Sequence, residues 1–166
     1  MRAYPATAVL DAMRSMRPGS DITDRLDNAL ATKLVGVLRF RRHHFMAGQR
    51  EPKRAAIAFL ANSAIELAHA DAIARRMVQL GAEPNFSPAA FLVRSHAPFM
   101  EVGEGLAEMV REGHDATRMT MSALVAHARH IGAHDASTRK MLLDIVAEDQ
   151  TRAKDLAALA LALGAA

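Results

Sequence analysis

Glu66 and His69 stand three residues apart in the middle of an otherwise apolar helical stripe, Ala55, Phe59, Asn62, Glu66, His69, Ile73, Met77, Leu80. A carboxylate and an imidazole buried without partners would cost several kcal/mol, so this face calls for compensation from elsewhere in the chain. A second stripe repeats the pattern, with Asp149 and Arg152 interrupting Leu142, Ile145, Leu156, Leu159 and Leu163. A third, Ile22, Leu26, Ala29, Lys33, Val37, Phe40, places a lysine at its centre, and a fourth, Leu106, Val110, Gly113, Thr117, Thr120, Leu124, places threonines there. Four apolar seams with polar centres can surround one shared internal site. The competing reading is that some of these helices are rotated and their polar residues face water.

Other residues offer different chemistry. His127, His130 and His134 follow i, i+3, i+7 spacing, which puts imidazoles on one helix face in the manner of a zinc, copper or nickel site. Gly132 is placed to break that helix before His134, and histidines at a helix C-terminus also occur simply because the dipole favours their charged form. The ten methionines read as flexible core filler rather than a copper site. The chain has no cysteine, which removes disulfides, thiolate metal sites and a cysteine nucleophile.

The elements that must position these residues are all helical. Hydrophobic residues make up 51% and charged residues 23% of 166 residues, enough for one domain with a sizeable core. Turn signals at Pro18-Gly19, Gly48 to Pro52, Gly81 to Pro98 and Gly132 to Ser137 separate four long stretches of helical period. These predict helices over about 21–46, 53–80, 99–131 and 136–163, with Asp135 capping the last and Gly81 ending the second. No segment has the period of a strand. The first and last links are short and force antiparallel neighbours. The middle link, with Pro84, Pro88 and Pro98 and no clear helix, spans about 18 residues and is long enough to cross a helix end to end. An all-α antiparallel four-helix bundle over residues 21–166 with one long crossover is the expected architecture, and residues 1–20 form an extension with room for a short helix.

The formal net charge is +3, with both signs interspersed. The one basic concentration, Arg39, Arg41, Arg42, His43, His44, reads as a solvated helix end rather than a nucleic-acid surface. No apolar run approaches the roughly 20 residues of a membrane span, and no signal-peptide stretch opens the chain. A cytoplasmic protein with no nucleic-acid or membrane partner is expected.

Several of these residues carry a family resemblance. Ser63-Ala-Ile-Glu66-Leu-Ala-His69-Ala-Asp71, followed by Leu80-Gly-Ala-Glu-Pro84-Asn85, resembles the second helix of bacterioferritins and the turn after it. Leu26 to Leu30, Leu34-Val35 and His43 resemble their first helix, and His134-Asp135 through Met141 and Asp144-Ile145 resemble their last corner. The likeness covers roughly residues 22–163 and is most specific in the second helix. It implies the ferritin-like fold, iron as metal and a hollow oligomeric assembly.

Carried across residue by residue, the family's di-iron ligands survive only at Glu66 and His69. The first-helix glutamate falls on Lys33, the third-helix glutamate on Ala116 or Thr117, and the last-helix pair on Asp149 and Arg152. The haem-ligating methionine falls on Leu67, so no haem is expected, and the family's fifth, C-terminal helix has no counterpart before Ala166. In the family, two ferrous ions balance four carboxylates; here Lys33 and Arg152 would balance Glu66 and Asp149 with no metal. The resemblance thus implies an iron-storage family protein with a degenerate ferroxidase centre. Its internal ion-pair cluster would be Lys33, Glu66, His69, Asp149 and Arg152. Its partners would be copies of itself or an active ferritin subunit. The alternatives are an atypical ferroxidase or other metal-binding protein using Glu66, His69 and Asp149, with His127 and His130 as a separate metal pair, and a ferritin-like bundle moved to another task.

Overall fold

In the computed structural model, residues 21–48, 53–101 and 105–164 are described; the extension over residues 1–20 lies outside them. Among these residues there are five helices and no strand: α1 (Asp21–Ala47), α2 (Arg54–Gln79), α3 (Pro88–Arg94), α4 (Leu106–Ile131) and α5 (Ala136–Ala162). The four long ones match the stretches of helical period. Helix α1 packs along α2 and α4 along α5, α1 also meets α4, and α2 meets α5.

The ends are set by local chemistry. The Asp135 carboxylate accepts the Thr138 amide at 2.9 Å, the N-cap bond that satisfies a free donor of α5. Arg76 near the end of α2 donates to both oxygens of that carboxylate at 2.9 Å, which ties α2 to the start of α5. Gly132 takes φ 55°, a left-handed value that stops α4 before His134.

Three expectations need correction. The crossover is not free of helix: Ser87 is extended and Pro88 begins the short α3, because proline's fixed φ suits the first helical position. The third long helix begins at Leu106 rather than Phe99. Gly105 is extended (φ −92°, ψ 144°), and glycine gives up the most entropy on entering a helix. Against the expectation of no membrane-length apolar run, α2 is long and apolar enough to cross a membrane by composition alone. Its buried face, with Asn62, Glu66 and His69, is turned into the bundle.

The interior is layered. One apolar cluster holds Leu26, Leu30, Ile73, Met77, Leu124, Ile131, Leu142 and Ile145. The other holds Phe40, Phe59, Met109, Val110 and Leu156. Between them in sequence on every long helix fall the buried polar residues Lys33, Glu66, His69, Thr117, Thr120, Asp149 and Arg152. Of the stripe positions, only Leu80 turns outward, being 38% exposed, and Val37 is half-buried while Gly36 takes the inner position.

Candidate functional site: a buried charge cluster

Each long helix delivers its polar residues to the centre because the apolar residues one and two turns away fix its rotation. Thr117 and Thr120 on α4 satisfy themselves, donating to the carbonyls of Gly113 and Ala116 four residues back, so α4 lines the site without presenting a charge. The charges come from α1, α2 and α5.

Lys33 is fully buried, with its ammonium 2.7 Å from Asp149 Oδ2, to which it donates a hydrogen bond, and 3.1 Å from Glu66 Oε2. Arg152 donates a short hydrogen bond to Glu66 Oε1, donates to the Asn62 carbonyl at 3.3 Å, and lies 2.8 Å from Asp149 Oδ1. Two cations and two carboxylates therefore form a closed square across three helices. The contacts to Glu66 Oε2 and Asp149 Oδ1 are ionic and lack hydrogen-bond alignment. The Arg152 guanidinium also lies 5.9 Å from the Phe40 ring centroid, within cation–π range.

The two sides of this square settle their protonation mutually. Burial pushes the Glu66 carboxyl up, but Lys33 and Arg152 reverse that and hold it below its ordinary range. Burial likewise works against charge on Arg152, and Glu66 and Asp149 overcome it, raising its proton affinity. The close approach of Glu66 to α1 depends on Gly36: a Cβ there would sit 2.9 Å from Glu66 Cδ.

His69 stands at the edge. Its Nε2 is 2.9 Å from Glu148, a carboxylate two-thirds exposed to solvent, and its Nδ1 is 3.6 Å from Asp149. Burial and then Lys33 lower its proton affinity, against the pull of Glu148, Asp149 and Glu66. All five residues of the predicted cluster are thus brought together. Sequence reasoning missed Gly36 and Glu148; an inner glycine one turn beyond Lys33 was the available signal for the first. Among the described residues no three His, Cys, Asp or Glu side chains converge as a metal-holding group.

The C-terminal histidines do not converge. His127 points inward, its ring 4.9 Å from that of His96 in the crossover and its Nδ1 3.4 Å from Arg25. His130 points outward, half-exposed, and contacts Asp21, while His134 is exposed beyond Gly132. The basic segment of α1 also departs from expectation. Arg39 and His43 are buried rather than solvated, because α4 supplies Glu112 beside them. Arg39 Nε donates to Glu112 at 2.7 Å, and its Nη2 donates to the carbonyls of Ala97 and Pro98 at 3.2 and 2.5 Å. Leu67, at the position of the family's haem ligand, lies on the outer face and is 44% exposed.

A family model described as Ferritin, ferritin-like domain, matches residues 23–163. No curated protein matches the sequence. Among solved structures, the dodecameric thioferritin described as the bacterioferritin-related protein from Bacteroides fragilis superposes with a TM-score of 0.78 at 16% identity, over 91% of this chain and 90% of that one. At that identity the likeness speaks for the fold.

Proposed function

The chain belongs to the ferritin-like family, and on that premise we propose that it is an iron-storage-type subunit in which a salt-bridge core replaces the di-iron centre and which does not oxidise ferrous iron there. The observation that carries this reading is Lys33. Its ammonium lies 2.7 Å from Asp149 and 3.1 Å from Glu66, so a fixed positive charge occupies the space between the carboxylates. A two-metal oxidation site needs carboxylates free to bridge ions about 3.5–4 Å apart. Here Glu66 is committed to Lys33 and Arg152, and Asp149 to the same two cations, so these residues do not fit a pair of ferrous ions.

In this reading the framework is an antiparallel four-helix bundle with a single crossover, α3 being an elaboration of that crossover. The charge square keeps the polar layer neutral, as metal ions would, and fixes the register of α1, α2 and α5. The subunit's task is then assembly and storage, in the cytoplasm, either among copies of itself or beside an active ferritin subunit. The dodecameric state of the Bacteroides fragilis protein supports assembly into an oligomer.

One observation favours the alternative, an atypical metal site. His69 links solvent-exposed Glu148 to buried Asp149, giving a possible donor row at the edge of the square. Aerobic oxidation of added ferrous iron by the purified protein, against a protein-free blank, separates the two. A rate equal to the blank is expected. Oxidation well above it, abolished by Glu66→Ala, would sink the proposal and assign the chemistry to Glu66, His69 and Asp149.

A further inference from the structure

The crossover is attached to the bundle in an unusual way. Among residues 82–101 only Ala97 is buried, and α3 buries no residue at all. Apolar packing therefore contributes little there, and polar contacts to α1 hold it. The Asn85 amide donates to Asp27 at 3.1 Å, Arg94 donates to Asn28 at 3.3 Å, and Arg39 grips the carbonyls of Ala97 and Pro98. Segments with few buried apolar side chains open at lower free energy than packed helices.

His96 makes the most complete of these attachments. Its amide donates to Thr32 Oγ1 at 3.0 Å, and its Nδ1 lies 3.1 Å from the same oxygen. The Thr32 hydroxyl already donates its single proton to the Asn28 carbonyl at 2.7 Å. Both oxygen lone pairs are then left to accept, so His96 Nδ1 carries the proton toward Thr32. Beneath it lies His127, with its ring edge-on to His96. Arg25 can only donate, so His127 Nδ1 is the acceptor of that contact and Nε2 carries the proton of a neutral ring. That Nε2 is buried without a hydrogen-bond partner.

We propose that the His96–His127 contact is an acid-released latch: neutral rings hold the crossover over the seam between α1 and α4, and protonation of His127 lets it go. A second proton on His127 must sit on Nδ1, facing the Arg25 guanidinium. That converts an acceptor–donor contact into two facing cations. The charged and titratable groups around His127 are Arg25 and Asp21 on α1, His96 on the crossover and His130 on its own helix. Only Asp21 favours the charged ring. Asp21 is itself more than half exposed and already paired with Arg25 at 3.1 Å, so its help is weak.

The direction follows from the folded environment. Burial first, then His96 and Arg25, lower His127 from 6.5 to about 4, and burial lowers His96 as well. Such a histidine supports the closed form fully above pH 6.5. That support is withdrawn as pH falls from 6.5 toward 4, because only the opened form takes up the proton. Going from pH 7.5 to pH 5, His127 alone should raise the open fraction about 30-fold, and His96 adds in the same direction. Asp27 opposes the change. Its carboxyl is raised by burial, so the closed form takes up that proton more readily than the opened one.

Amide hydrogen exchange of the full chain at pH 7.5 and pH 5, corrected for the intrinsic exchange rate, tests this. Peptides from residues 82–101 should open about 30-fold more at pH 5, while peptides from the middle of α2 and α5 hold their protection. In His127→Gln, which keeps one acceptor and one donor but cannot charge, most of that pH response should vanish. Equal opening at both pH values, or a full response in His127→Gln, overturns the proposal. Should that variant not fold, the imidazole titration of His127 in the wild-type protein decides: a midpoint near 4 supports the latch and one near 6.5 refutes it.

Discussion

Glu66 is a buried and Glu112 a partly buried carboxylate, both paired with arginine, yet the protein treats them in opposite ways. Glu66 is held below its ordinary range and Glu112 is pushed above it. Burial raises both. The difference is the number of cations: Glu66 faces Lys33 and Arg152 from two other helices, whereas Glu112 has Arg39 close by and Arg42 at longer range. Two close cations overcome the desolvation of a buried carboxylate here, and one does not. His43, 3.4 Å from Glu112, adds no second charge because it is itself kept neutral. Its burial, with Arg39 and Arg42 nearby, lowers it to about 4.

The comparison is broken most directly at Lys33. Lys33→Ala leaves Glu66 with one cation and Asp149 without its 2.7 Å donor, both nearly or fully excluded from water. Orphaning a buried charge of this kind costs about 3–5 kcal/mol, to be read as a lower midpoint in urea-induced unfolding. Lys33→Ala unfolding at the wild-type midpoint would mean that Lys33 is solvated and the charge square is wrong.

A milder change separates the two carboxylates themselves. In Glu66→Gln two buried cations lose a partner, so a loss of about 2–3 kcal/mol is expected at pH 7. Glu66 is lowered in the folded state, so its contribution is present above pH 4.5 and lost as pH falls below that. The gap between variant and wild type should therefore close in acid. Glu112 has the opposite sign. Its raised proton affinity means that the folded protein takes up this proton ahead of the unfolded chain, so acid favours the fold at this position. Glu112→Gln should cost about 1 kcal/mol or less at pH 7, with the gap to wild type widening against the variant in acid. Equal losses at neutral pH for the two variants would show that counting cations does not explain the contrast.

The first of these sites was legible in the sequence and the second was not, for a physical reason. Lys33, Glu66, His69, Asp149 and Arg152 each interrupt an apolar stripe, and a charge inside a stripe must be compensated wherever the helix packs. The resemblance to bacterioferritins then said which stripes face one another. Arg39 and His43 sit among Arg41, Arg42 and His44, so nothing in the local pattern marks two of the five as buried. Their burial is decided by Glu112 and by the carbonyls of Ala97 and Pro98, partners about sixty to seventy residues away. The crossover was harder still. Its attachment rests on Thr32, Asn28 and Asp27, which read as ordinary helix-surface polar residues. His127 was legible as one of a row of histidines but not as an inward ring, because spacing along one helix suggests His130 as its neighbour while the ring it meets belongs to another segment.

The smallest effect belongs to an ion pair outside the interior. Lys140 and Asp144 are 2.6 Å apart on α5, closer than Lys33 and Asp149. Distance alone would rank this pair first. Both side chains are more than half exposed, however, so water already solvates each charge and salt screens what attraction remains. Lys140→Ala should leave the unfolding midpoint unchanged within error at physiological salt, although its contact is the shorter one. A loss comparable to that of Lys33→Ala would mean that contact distance, rather than exclusion from water, sets the worth of ion pairs here. The contrast between Glu66 and Glu112 would then need a different cause.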